Sequence, residues 1–235
     1  AELTIDFEEA VHGTTKLVEL QKFDRCSRCN GNRAEPGTAI VQCKQCGGQG
    51  HITSTQRTFL GVMQSTSVCP RCHGTGKFPK QNCSQCNGDG MERVTKKLQV
   101  KIPAGIADRE AIRLQGEGEI SEDMRSHGNL YVKVRLRDHY KFTRQGDDIH
   151  SREPISFTQA LLGAKITVDT VDGKVELKIP SGTASETVFK LKGKGVSHLR
   201  SYGRGDHYVM VKIAVPEKIT PKAKKIVAEL QKEGL

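Results

Sequence analysis

Tryptophan is absent from this 235-residue chain, and aromatic residues make up only 5% of it. Each core must therefore be built from small aliphatic side chains, which favours several small units over one large globule. No apolar run approaches the length of a membrane span, so we expect no membrane partner. The sequence also lacks G-x-S-x-G, H-E-x-x-H and phosphate-loop motifs, which indicates a protein that is not an enzyme.

All eight cysteines lie in four copies of one module, C-x-x-C-x-G-x-G, at residues 26–33, 43–50, 69–76 and 83–90. The first copy alone departs from the pattern, with Arg33 in place of the final glycine. A C-x-x-C turn directs two thiolates at one point, and zinc binds four of them in a tetrahedron. We therefore predict two zinc ions per chain. His73 adjoins a cysteine, but the eight thiolates already complete both sites.

Other uses of cysteine fit this pattern less well. Disulfide frameworks are typical of small secreted chains, and the first residues show no signal-peptide pattern. Redox C-x-x-C motifs are usually single, and iron–sulfur runs space their cysteines more closely. Structural zinc in a reducing compartment, the cytoplasm or an organelle matrix, is the preferred interpretation.

The chain between the modules predicts which of them share a metal. Residues 51–68 are rich in threonine and β-branched residues around a Leu60-Gly61 break, which indicates a β-hairpin that returns the second module beside the third. The first and fourth modules then pair across its base. We predict one zinc site from Cys26, Cys29, Cys83 and Cys86, and the other from Cys43, Cys46, Cys69 and Cys72.

The remainder of the chain is a duplication. Residues 98–105 and 112–128 match residues 175–182 and 189–205 at a spacing of 77, as between Pro103 and Pro180. Residues 5–18 match residues 155–168 at a spacing of 150, as between Ile5 and Ile155. The two spacings differ by 73 residues, which is extra chain present only in the first copy. This insertion contains all four cysteine modules.

The predicted fold is mainly β, because apolar and polar residues alternate in both copies. It is expected to be elongated, because cores built from small aliphatic side chains are modest in size. Two tandem, similar β-sandwich-like domains carry a Cys-rich two-zinc domain inserted in the first, and a short helix ends the chain. The expected domains are 1–24 with 91–142, the insert 25–90, the second β domain 143–219 and the helix 220–235. The polar stretch 144–148 is interpreted as a linker or interdomain turn.

The final helix is expected from Thr220 as N-cap and Pro221 as first residue, with Ala223, Ile226, Val227 and Leu230 on one face. So short a helix is not stable alone. It either packs on its own domain or joins its copy in a second chain, and we expect the homodimer.

The formal charge of +10 suggests nucleic acid as a partner. However, each zinc with four thiolates carries about −2, which lowers the net charge to roughly +6. No aromatic RNA-stacking signature is present either. We therefore do not expect nucleic-acid binding.

Four such modules inserted in the first of two tandem β domains closely resemble the C-terminal region of zinc-containing DnaJ-type (J-domain) co-chaperones. The resemblance covers essentially all of the chain and includes the turns Ile102-Pro-Ala-Gly105 and Ile179-Pro-Ser-Gly182. The family's His-Pro-Asp tripeptide and Gly/Phe-rich linker are not found, so we expect a fragment without the J domain.

The resemblance implies a co-chaperone that binds unfolded or partly folded clients, prevents their aggregation and delivers them to a DnaK-type ATP-driven chaperone with its nucleotide-exchange factor. A sheet edge beside an apolar groove can add an extended client as a further strand. The candidate groove residues are Leu3, Ile5, Val18, Leu20, Leu98, Val100 and Phe142; the resemblance places the lining strand at Val18 and Leu20.

Two alternatives belong to other classes. A thiol–disulfide isomerase would use the C-x-x-C pairs as free, reactive thiols, whereas two tightly held zinc ions favour the binding protein. A purely structural dimer scaffold would have no affinity for unfolded polypeptides.

Overall fold

The computed structural model describes residues 1–59, 61–121, 126–199 and 201–234. They form three helices, α1 Phe7–His12, α2 Phe157–Leu162 and α3 Pro221–Lys232. The strands are β1 Glu2–Ile5, β2 Thr14–Arg25, β3 Ile40–Gln42, β4 His51–Thr58, β5 Gly61–Val68, β6 Lys77–Pro79, β7 Met91–Ile102, β8 Ala111–Leu114, β9 Leu130–Leu136, β10 Thr143–Gln145, β11 Asp148–Ser156, β12 Ala164–Thr170, β13 Gly173–Ile179, β14 Val188–Leu191 and β15 His207–Ala214. The expected class, mainly β with a Cys-rich insertion and a short C-terminal helix, is confirmed.

The chain divides into two compact units by its backbone contacts. The first unit contains Ala1–Thr4, Thr15–Lys101 and Asp108–Arg135, and therefore the whole Cys-rich insert. The second contains Ile5–Thr14, Ile102–Ala107 and Leu136–Leu235. The domain limits expected from the sequence stay a prediction. Residues 5–14, 102–107 and 136–142, which that prediction assigns to the first β domain, belong to the second compact unit by their backbone contacts.

The duplication is visible as a repeated order of elements. The sheet β1-β9-β8 of the first copy corresponds to β11-β15-β14 of the second, where β10 adds a fourth strand. Strands β2 and β7 pair as β12 and β13 do. In the second copy Thr170 faces Gly173 across a two-residue connection, whereas in the first copy the same connection holds residues 26–90. The insertion thus lies inside one hairpin of the first copy.

Aliphatic side chains fill the cores, as the shortage of aromatic residues requires. In the second unit the four-stranded sheet packs its β11 and β15 side chains against β12 and β13; the buried cluster is Ile155, Ala160, Val168, Leu177, Ile179, Val209 and Val211. In the first unit Val18, Leu98, Val132 and Val134 are buried. Each is a period-two position of its strand, which is why alternation reveals these strands in the sequence.

The hairpin between the second and third modules is present, and it pairs His51 with Val68 and Thr58 with Gly61. Leu60, the other half of the expected break, lies outside the described residues. The interpretation of residues 144–148 as a linker is wrong. Arg144 faces Ile149 and Gln145 faces Asp148 in a tight hairpin between β10 and β11. This segment is therefore part of the four-stranded sheet β10-β11-β15-β14 of the second unit.

Helix α3 begins as predicted, since Thr220 Oγ1 accepts a hydrogen bond from the Ala223 N–H at 3.2 Å and Pro221 is the first helical residue. None of its described residues is buried, and Ile226 and Val227 are about half exposed. Within the described ranges, no helix has the length and apolar character needed to cross a bilayer.

Candidate metal centres and client strand

The four cysteine modules share one backbone conformation. In each, the N–H of the seventh residue donates to the carbonyl of the second cysteine, at 2.9–3.1 Å. The fifth, sixth and eighth residues all have positive φ; they are Asn30, Gly31 and Arg33, then Gly47, Gly48 and Gly50, then His73, Gly74 and Gly76, and finally Asn87, Gly88 and Gly90. Glycine and asparagine tolerate this region best, which explains the glycine-rich pattern.

Backbone hydrogen bonds join the modules in two reciprocal pairs. The Cys26 N–H donates to Gly90 O at 3.0 Å, and the Cys83 N–H donates to Arg33 O at 2.9 Å. The other pair repeats this arrangement, with the Cys43 N–H donating to Gly76 O and the Cys69 N–H to Gly50 O, both at 2.9 Å. The first cysteine of each module is therefore fixed by the last residue of its partner module.

The paired modules bring the eight sulfurs together in two groups of four. Centre 1 consists of Cys26, Cys29, Cys83 and Cys86, and centre 2 of Cys43, Cys46, Cys69 and Cys72. In each centre all four Sγ atoms lie within 4.8 Å of one another, and every cysteine is buried.

The sulfur spacing fits zinc. The Sγ–Sγ distances are 3.9 and 3.7 Å in centre 1 (Cys26–Cys83 and Cys29–Cys86) and 4.0 and 3.6 Å in centre 2 (Cys43–Cys69 and Cys46–Cys72). A tetrahedron with zinc–sulfur bonds near 2.3 Å has edges of about 3.8 Å. A disulfide would require about 2.05 Å. Four sulfur ligands leave no position for a substrate, so zinc in either centre would be structural.

Burial and crowding separate the thiol pKa values within each centre. Burial raises the pKa of Cys29 to about 12 and the pKa of Cys72 to about 11. Burial also acts on Cys46, but hydrogen bonds, first from the Gly50 N–H at 3.3 Å, outweigh it and lower the pKa of Cys46 to about 7. Four thiolates do not accumulate in so small a volume without a cation, and Zn²⁺ would supply that charge.

Two carboxylates that the sequence reasoning missed support centre 1. Glu35 accepts from the Ser84 N–H at 2.8 Å and pairs with Arg28, and these hydrogen bonds, the Arg28 one first, lower the pKa of Glu35 to about 2. Glu92 accepts from the Ser27 N–H at 2.7 Å. Both N–H groups follow the first cysteine of a module. Each glutamate stands nine residues after the first cysteine of a module, Glu35 after Cys26 and Glu92 after Cys83. This shared spacing was the signal in the sequence that could have identified them.

The candidate groove residues differ in accessibility. Ile5, Val18, Leu98, Val100 and Phe142 are buried. Leu3 and Leu20 are half-buried and keep surface for a ligand. Phe142 packs with Phe7 and Val11 in the second unit, to which Ile5 also belongs.

Strand β2 offers a backbone edge, because it pairs with β7 alone among the described strands. One end of this edge is closed, since the Ile120 N–H donates to Phe23 O at 3.1 Å. There the buried Lys22, which the sequence reasoning missed, donates to the carbonyls of Glu117 and Gly118 at 3.2 and 3.1 Å. Among the described residues, the part of this edge that can take a further strand is residues 17–21, which include Val18 and Leu20.

These features define a class: mainly β proteins with a duplicated unit and two structural four-cysteine centres set into the first copy. A family model described as the DnaJ C terminal domain matches residues 1–216. Proteins named Chaperone protein DnaJ are similar over 97% of this chain. The one from Acetivibrio thermocellus is 44% identical, the one from Halalkalibacterium halodurans 40%, and the one from Listeria monocytogenes serotype 4b 44%, each over 227 residues.

The chain belongs to the DnaJ C-terminal domain family. It spans 59, 61 and 60% of the length of these three relatives, so about two fifths of each relative has no counterpart here. The two centres that can hold metal agree with two zinc ions per chain.

Proposed function

We propose that this chain is the client-binding part of a DnaJ-type co-chaperone. It binds extended apolar segments of non-native polypeptides, prevents their aggregation and transfers them to a DnaK-type ATP-driven chaperone that works with a nucleotide-exchange factor. Its membership of the DnaJ C-terminal domain family supports this role. The observation that carries the proposal is the edge of β2 at residues 17–21, with the half-buried Leu20 beside it.

Binding proceeds by strand addition in this proposal. The client backbone pairs with residues 17–21, so the main-chain hydrogen bonds do not depend on client sequence. Apolar client side chains contact Leu20 and Leu3, which are half-buried, while Val18 and Leu98 form the wall beneath. Burial of a bulky aliphatic side chain contributes about 1.5–3 kcal/mol, which selects apolar segments.

Zinc has a structural role in the proposal. Centres 1 and 2 would hold together an insert whose described strands form two two-stranded sheets, β3-β6 and β4-β5. Isolated sheets of two strands are marginally stable in water. None of the eight cysteines forms a disulfide. A reducing compartment would keep all eight available as zinc ligands, and we place the protein in the cytoplasm.

Two chains associate through α3 in this proposal. The half-exposed Ile226 and Val227 would be buried by a second copy, and two grooves acting on one client gain affinity through avidity. A thiol–disulfide isomerase receives no support from the relatives, which are named as chaperone proteins.

The test is the affinity for a Leu-rich extended peptide, measured by fluorescence anisotropy, together with suppression of client aggregation. Leu20→Ser removes apolar contact area worth about 1–2 kcal/mol and should weaken binding about tenfold. Leu17→Ser is the matched control, because Leu17 is 67% exposed on the opposite face of the same strand. Equal loss in both variants, or no peptide binding by the wild-type chain, would contradict the proposal.

A further inference from the structure

Arg33 has a left-handed backbone conformation that glycine normally occupies. It stands at the eighth position of its module, where the other three modules have glycine, and its φ is +70°. Its carbonyl accepts the Cys83 N–H at 2.9 Å, as the glycine carbonyls do in the other modules. The backbone hydrogen bond of this position is therefore the same in all four modules. Arg33 differs from the three glycines only in having a side chain.

The Arg33 side chain extends from centre 1 to centre 2. Its Nη1 atom donates to the carbonyl oxygen of Cys72, a cysteine of centre 2, at 3.4 Å. The Nε atom is buried and has no hydrogen-bond partner. Within the described ranges, no carboxylate lies within ion-pair distance of Arg33.

Two other arginines near the cysteines are differently placed. Arg28 pairs with Glu35, which neutralises it. Arg71 lies between Cys69 and Cys72 in the sequence, is exposed, and stacks its guanidinium 4.7 Å from the centre of the Phe78 ring. Arg33 is thus a partly buried cation beside a cysteine of centre 2 without a carboxylate partner.

A buried, unpaired charge is costly unless negative charge lies close to it. Four thiolates around Zn²⁺ carry a net charge of about −2, and they meet this requirement. We propose that Arg33 is a positioning residue that couples the two centres. Its backbone is held in centre 1, and its guanidinium is the counter-charge that strengthens zinc binding at centre 2.

The proposal rests on both centres holding zinc, so metal content is measured first, and fewer than two ions in the wild-type chain would overturn it. The rate of zinc release to excess chelator is then measured for each centre. The Cys43→Ser/Cys69→Ser variant lacks centre 2, so its single release phase identifies that of centre 1. Co²⁺ absorption gives a second readout that does not depend on chaperone activity. Peptide binding is scored separately, so a failure of the client proposal is distinguishable from a failure of this one.

Three substitutions separate charge from backbone effects. Arg33→Asn removes the guanidinium but keeps a residue that tolerates positive φ, as Asn30 and Asn87 do at 49° and 51°. Arg33→Gly restores the residue of the other modules, and Arg33→Lys keeps the charge. Arg71→Asn is the matched control, because it removes an exposed charge beside the same cysteine.

Loss of a residue that supports metal ligands typically weakens metal binding at least tenfold. We expect Arg33→Asn and Arg33→Gly to speed zinc release from centre 2 about tenfold, with Arg33→Lys in between and Arg71→Asn close to wild type. Release from centre 1 should not accelerate. Unchanged release from centre 2, acceleration of centre 1 alone, or an equal effect of Arg71→Asn would each overturn the proposal.

Discussion

Substitution of Gly76 by alanine is expected to weaken centre 2 specifically. A Cβ atom at Gly76 would lie 2.2 Å from the carbonyl oxygen of Gly48, which is backbone and cannot rotate away. Gly76 also has a φ of +69°, and its carbonyl accepts the Cys43 N–H. Gly76→Ala therefore strains the backbone link on which the pairing of the second and third modules depends.

Gly47→Ala is the matched control. Gly47 has a similar φ of +59°, but a Cβ atom there meets nothing within 4 Å. Both variants lose about 1–2 kcal/mol from the left-handed conformation. Only Gly76→Ala adds overpacking, which costs about 1–3 kcal/mol. Its zinc affinity at centre 2 should be about 5- to 150-fold below that of Gly47→Ala.

Competition with a chromophoric chelator measures both affinities, and centre 1 serves as an internal reference in the same chain. Equal affinities for Gly76→Ala and Gly47→Ala would show that the close approach of residue 76 to Gly48 has no consequence for zinc binding, contrary to this prediction. Weakening of centre 1 instead of centre 2 would refute the pairing of the modules.

Three further outcomes follow. Replacing Cys43 and Cys69 together by serine should lower zinc from two ions to one by elemental analysis, and loss of both ions with folded β domains would contradict the grouping. Deleting residues 221–235 should convert a dimer into a monomer in sedimentation, and a wild-type chain already monomeric at micromolar concentration would contradict the role of α3. Burial lowers the pKa of His207 to about 4, so the folded state binds a proton at this imidazole less readily than the unfolded state does. The contribution of the neutral His207 to the free energy of unfolding is therefore complete above pH 6.5. It falls by roughly 3 kcal/mol as the pH drops from 6.5 towards 4. His207→Gln should flatten that slope in urea unfolding, and an unchanged slope would assign it to other groups.

The metal centres could be predicted from the sequence because their determinants are local. Each module brings its own turn, and the hairpin between residues 51 and 68 is the simplest way to return the second module to the third. The duplication could also be predicted from the sequence, because a constant spacing between matching residues is visible without any knowledge of how they pack. The mainly β class followed from alternation in the strands.

Contacts between residues far apart in the sequence could not be predicted in this way. Residues 144–148 have the composition of a linker, and only the pairing of Arg144 with Ile149 shows them to be a hairpin. The sequence gives no sign that Lys22 is buried, because its partners, the carbonyls of Glu117 and Gly118, lie about 95 residues further along the chain. Phe142 lies near the first copy in sequence but packs with Phe7 in the second unit.

We propose that the client binds at the edge of β2 in the first copy. An NMR titration of the whole chain with a Leu-rich extended peptide tests it directly. We predict that the largest shifts fall on the amides of residues 17–21, that Leu20→Ser needs about tenfold more peptide to reach the same shifts, and that Leu17→Ser leaves the titration unchanged. Shifts that cluster instead around Val168 and Thr170 of β12, in the second copy, would contradict it.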